Sequence, residues 1–220
     1  MRSLQLLLFF SVILSVSCRA LGSDNDSQIW SILRYNHNWN SLEFSAQLQL
    51  RYTLGDGKLY EEQFNPAVQY STDHGNVGFI FTLGTINGFE SRREYRYALE
   101  YEFVIFENDS FIYETRFRQE LRNFTGVNEH AHRFRVLNEL SFKKYDFKGY
   151  KPFISSEFNF YLNDFDSSDN EGTGVSSHRT IVGVTRAFKD HDLTFSYVHD
   201  YGVRMGLDEI RHVLLGTAAF

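Results

Sequence analysis

The stretch that most constrains this chain runs over residues 92–122, RREYRYALEYEFVIFENDSFIYETRFRQELR, where polarity alternates almost residue by residue. Tyr95, Tyr97, Leu99, Tyr101, Phe103 and Ile105 share one parity, and Glu94, Arg96, Ala98, Glu100, Glu102 and Val104 the other. After the polar break Glu107-Asn108-Asp109-Ser110 the pattern resumes. Phe111, Tyr113, Thr115, Phe117 and Leu121 then stand against Glu114, Arg116, Arg118, Glu120 and Arg122. Period two over runs this long predicts two antiparallel strands joined by a short turn. One face is aromatic and aliphatic, the other almost entirely ionic. A closed barrel in lipid accommodates that contrast, because its outside meets hydrocarbon while its inside meets water and its own ion pairs.

The same alternation recurs along the chain. Leu42, Phe44, Ala46, Leu48, Leu50, Tyr52 and Leu54 oppose Glu43, Ser45, Gln47, Gln49, Arg51 and Thr53. Further strands are expected around 64–70, 77–84, 134–142, 154–162, 179–188, 193–201 and 210–220, with two faces of 179–188 that the pattern does not separate. The 22 Phe and 13 Tyr favour strands, and only 2 Pro are present to interrupt them. A mean hydropathy of -0.36 is no objection, since alternating strands average out in any hydropathy window. The expected fold is therefore all-β: an antiparallel up-and-down transmembrane barrel over residues 42–220. It would have about ten strands, or twelve, because an even count returns both termini to one side. Residues 23–41 are expected to form a tether or a lead-in strand. A soluble barrel with the same residues turned inside out, binding an apolar ligand, shares the periodicity.

Residues 1–22 have the form of a signal peptide: Arg2, an apolar run over 4–16, then small residues up to Gly22. Cys18, the single cysteine, would leave with it, or would carry a lipid if cleavage fell just before it. The net charge of -6 shows no basic excess and speaks against nucleic acid as a partner. These features point to a bacterial outer membrane, with membrane lipid and the barrel-insertion machinery as partners. The terminal Phe220, closing an amphipathic strand, resembles the signal such barrels present for insertion.

Several motifs together resemble the DUF2490-type family of small outer-membrane barrels, a domain of unknown function. They are the early Trp30, LQLRY (48–52), ETRFRQELR (114–122), RFRVLNEL (133–140) and SHRTIVGVTRAF (177–188). The resemblance spans nearly the whole chain after residue 22. It implies an outer-membrane location and no agreed activity.

The candidate functional residues are the charges of the ionic face: Glu94, Arg96, Glu100, Glu102, Glu114, Arg116, Arg118, Glu120 and Arg122, continued by Arg133, Arg135 and Glu139. Cross-strand neighbours lie roughly 5 Å apart, so Glu100 is in reach of Arg116 or Arg118, and Arg96 of Glu120. Such a network either selects small polar solutes at a constriction or fills a narrow lumen as a salt-bridge ladder. The functional readings are thus a narrow diffusion channel, or a non-conducting barrel acting through its structure or its loops. An interfacial lipid-modifying enzyme is a third. That reading would need an outward Ser–His pair, and His199 with Ser196 fails because the two fall on opposite faces. The acidic loop around 163–171 lacks the spacing of a helix-loop calcium site, and no glycine run cradles a phosphate. No cofactor or metal is expected.

Overall fold

The computed structural model describes residues 27–55, 57–87, 92–144, 149–163, 174–204 and 207–220. The expected signal peptide, Cys18, most of the tether and most of the acidic loop lie outside the described residues. Eleven strands follow one another: β1 (Ser27–Trp39), β2 (Leu42–Thr53), β3 (Leu59–Thr72), β4 (Gly75–Ile86), β5 (Arg92–Glu107), β6 (Phe111–Phe124), β7 (Ala131–Phe142), β8 (Tyr150–Tyr161), β9 (Gly174–Ala187), β10 (Asp192–Arg204) and β11 (Leu207–Ala219). They close into one barrel in which every strand pairs with its neighbours in sequence, and β1 meets β11.

The all-β barrel is as expected, and its strand count falls between the two expected values. The odd number has a definite origin. The segment left open as tether or strand is β1, so the barrel starts at Ser27 rather than at residue 42. β1 pairs antiparallel with β2 from Gln28↔Thr53 to Trp39↔Leu42, and parallel with β11 from Ser27↔His212 to Arg34↔Ala219. The remaining neighbours are antiparallel hairpins, so the parallel seam is the one place where the up-and-down order breaks.

The connections sort to two rims. One rim carries 40–41, 73–74, 108–110, 143–149 and 188–191; the other carries 54–58, 87–91, 125–130, 162–173 and 205–206. We call these the turn rim and the loop rim. β1 starts at the loop rim and β11 ends at the turn rim, so an even barrel's return of both ends to one side does not occur here. Gly75 opens β4 at φ 141°, and a Cβ there would meet Cβ of Phe103 at 2.9 Å. That tight turn therefore requires glycine.

The two faces of each strand separate as the alternation predicts. Leu99 is 61 % exposed and Phe44, Leu48, Phe64, Phe79 and Val182 are also outward, whereas Glu94, Glu120, Glu157, Asn159 and Asp200 are buried inside. Apolar side chains outside and ionised ones inside is the reverse of a soluble barrel with an apolar cavity. Two small interior clusters depart from this: Trp30, Val198 and Val213 pack with Ile181 and Leu215 beneath the seam, and Ala131 and Tyr161 pack with Phe124. Asn138, which interrupts the apolar parity of β7, is satisfied outside by the Thr115 hydroxyl at 3.0 Å and the Tyr113 hydroxyl at 3.3 Å.

Candidate functional site

Strand register converts the alternation within each strand into alternation around the barrel. One hydrogen-bonded row reads Glu102, Arg116, Leu137, Glu157, Arg179, Asp200 and Arg211 from β5 to β11. The next reads Glu100, Arg118, Arg135 and Asn159. Glu157/Arg179, Asp200/Arg211 and Glu100/Arg118 thus face one another as opposite charges on adjacent strands about 5 Å apart, close enough for long side chains to pair. Arg118 and Arg135 are like charges that meet at Glu120.

They do pair, in one continuous chain. Arg122 Nε lies 2.5 Å from Glu94, and Arg96 lies 2.9 Å from the same carboxylate and 3.8 Å from Glu120. Glu120 is the hub, with Arg133 at 2.5 Å, Arg135 at 3.0 Å and Arg118 at 3.8 Å. Arg118 also pairs with Glu100, which has Arg116 at 3.5 Å. Arg135 pairs onward to Glu157, which holds Arg179 at 3.0 Å; Asp200 then joins Arg179 at 3.2 Å to Arg211 at 3.1 Å. Among the described residues the chain contains eight arginines and five carboxylates, an excess of three positive charges.

Nine of the twelve residues singled out in the sequence join this chain, with the predicted Glu100–Arg116/Arg118 and Arg96–Glu120 contacts. Glu102, Glu114 and Glu139 do not; no ion pair reaches them among the described residues. Glu114 faces Glu139 directly across β6 and β7, and Glu139 takes a hydrogen bond from the Ser141 hydroxyl at 3.0 Å. Sequence reasoning missed the continuation through Glu157, Arg179, Asp200 and Arg211. None of these four strands alternates charge along its own length, and only register reveals that the four residues form a row. In β9 a register shift opposite Asn159/Phe160 turns both Ser176 and Ser177 inward, and beyond it apolar residues occupy both faces, with Ile181 lining the cavity and Val182 outward.

The wall made by β1 to β4 differs. Arg34 is held by the neutral Gln47 at 2.7 Å, Arg51 pairs with Glu61 at 2.6 Å, and the Thr82 hydroxyl donates to Asn65 at 2.6 Å. Gly78 and Gly84 present no side chain on the inner face of β4. The indole of Trp30 links the two walls at the seam. Arg51 lies over it at 4.1 Å and Arg179 at 5.4 Å, while its N–H donates to Gln28 at 2.8 Å. Between the walls is a cavity of about 930 Å³ in which every lining cation is an arginine.

His199 and Ser196 fall on opposite faces, as expected: His199 lies outward against His212, Ser196 is buried, and Asp200 belongs to the inner chain. A different pair lies outward: the Ser156 hydroxyl and His178 Nε2 are 2.9 Å apart across β8 and β9, with Phe158 stacked on the imidazole at 4.3 Å. No carboxylate pairs with His178 among the described residues. Tyr197 and His212 hydrogen-bond at 2.5 Å on the same face. At the turn rim Phe220 continues the seam, its N–H donating to the Arg34 carbonyl at 3.0 Å, and His191 stacks between its ring and that of Phe188. No three His, Cys, Asp or Glu side chains gather to hold a metal among the described residues.

A family model described as "Protein of unknown function (DUF2490)" matches residues 27–210. The chain belongs to the DUF2490 family. The match begins at the first residue of β1 and runs into β11, so the family spans the barrel from its seam strand onward. A comparison with curated proteins finds no match for this DUF2490 barrel.

Proposed function

We propose that this barrel resides in the outer membrane of a bacterial cell, after loss of residues 1–22, and forms a narrow passage for small polar solutes. The observation that carries the reading is the inversion of polarity around a cavity of about 930 Å³: apolar side chains cover the outside, and arginines, glutamates and amides line the inside. Eleven strands lie between the eight that side chains fill and the sixteen or more of open porins, consistent with a restricted bore. The signal-like N-terminus and Phe220 support delivery to the insertion machinery.

Two measurements test this. Cell fractionation should recover the protein with outer membranes, released only by detergent; a soluble periplasmic product would remove the membrane reading. Purified protein in a planar bilayer should give small discrete conductance steps. The rival reading, a barrel that conducts nothing and serves structure or recognition, is favoured by the continuity of the ion-pair chain, and a silent bilayer would establish it. An interfacial lipid-modifying enzyme stands third, on the outward Ser156–His178 contact. Esterase activity lost in Ser156→Ala would raise it above both.

A further inference from the structure

The charge excess of the lumen wall is not spread evenly. Arg96, Arg118, Arg122, Arg133 and Arg135 all reach the cavity surface where β5, β6 and β7 meet. The carboxylates at the centre of the cluster, Glu94 and Glu120, are 0 % and 1 % exposed and do not line the cavity. Glu120 alone is shared by four guanidiniums. A guanidinium carries five N–H donors in a rigid fork, so the four around Glu120 carry more donors than that one carboxylate can accept. Glu94 and Glu120 are thus set into the wall, while Glu100 and Glu157, which pair with Arg118 and Arg135, share the cavity surface with the five guanidiniums. Lysines, which would hold a solute only as point charges, do not line the cavity among the described residues.

We propose that this five-arginine cluster binds a small oxyanion carrying two or more charges, of the phosphate, sulfate or dicarboxylate class, inside the lumen. The proposal rests on the water-filled lumen of the passage reading and names the solute class it favours. Planar oxyanion edges match the forked donors, two to a guanidinium, and the local surplus of positive charge supplies the attraction. At the turn-rim side Glu102, Glu114 and Glu139 carry the opposite sign, so an anion is drawn to the loop-rim half of the cavity.

The test uses the purified full-length barrel in detergent, titrated with inorganic phosphate against chloride at fixed ionic strength, and reads the thermal unfolding midpoint. Wild type should show a saturable rise in the millimolar range. Arg118→Gln should weaken the response about tenfold, the value of one charge-assisted hydrogen bond. Arg186→Gln, whose guanidinium stacks on Tyr150 and Phe188 away from the cluster, should titrate as wild type. General salting effects of phosphate are common to all three proteins and cancel in the comparison. A wild type that responds equally to chloride and phosphate overturns the proposal even if Arg118→Gln does not fold, and so does an Arg118→Gln protein that titrates unchanged. Bilayer recordings separate this from the passage reading. Saturable phosphate binding by a silent barrel keeps the site and removes the passage. Conductance with no anion preference and no phosphate response keeps the passage and removes the site.

Discussion

Strands β5 to β11 and strands β1 to β4 enclose the same lumen with different chemistry. The first wall is held by ion pairs that pass from strand to strand; in the second, amides, a threonine and two glycines occupy equivalent inward positions, and Arg51–Glu61 is its ion pair. The difference is one of rigidity and space. A buried carboxylate shared by several guanidiniums fixes all of them, because releasing any one strands charge in a poorly solvated site. A glutamine or glycine opposite makes no such demand. The ionic wall therefore sets shape, and the amide wall leaves the room.

The sharpest way to break this contrast is to remove the hub. Glu120→Ala leaves Arg133 without its ion pair and should cost about 3–5 kcal/mol, read as loss of the heat-resistant folded band on gels. Trp30→Ala, at the junction of the walls, should cost a similar 3–5 kcal/mol by emptying the apolar cluster beneath the seam. On the outer surface of the ionic wall, Leu99→Arg should cost about 2–4 kcal/mol according to depth, as expected for a charge facing lipid. Glu100→Gln, facing inward one position on, removes the ion pair of Arg116 but keeps an amide oxygen for Arg118, so it should cost less than Glu120→Ala and less than Leu99→Arg. Equal loss in Glu100→Gln and Leu99→Arg would contradict the assignment of faces. The smallest effect is expected from Asn65→Ala on the amide wall. It removes one hydrogen bond with Thr82, about 1 kcal/mol, while enlarging single-channel conductance. If Asn65→Ala destabilises as much as Glu120→Ala, the two walls are energetically alike and the distinction fails.

Much of this was legible in the residues themselves, because period two is a local signal. The 92–122 hairpin declared its faces and the partners of Arg96 and Glu100 before any coordinates. The long-range facts were not local. Trp30 falls in a segment that the sequence reads as a tether or lead-in strand, and only closure against β11 turns it into an interior anchor between Arg51 and Arg179. Glu157, Arg179, Asp200 and Arg211 sit in strands with no run of alternating charge, and their alternation exists only perpendicular to the chain. Glu102, Glu114 and Glu139 shared the parity of the ion-pair chain without joining it, since parity fixes a face and leaves height along the barrel open.

The parallel seam also governs how the chain can be re-cut. In a barrel of even count, the ends of the first and last strands meet at one rim, and a short turn can join them while the chain is opened elsewhere. Here the end of β11 and the start of β1 sit on opposite rims. The 13 residues of β1 span roughly 40 Å along the strand at about 3.3 Å per residue. A circular permutant would need a linker of that reach, threading the arginine-lined lumen or crossing the apolar exterior. The order of strands in this barrel is consequently tied to one starting point, and permutation by a short linker should abolish closure of the seam.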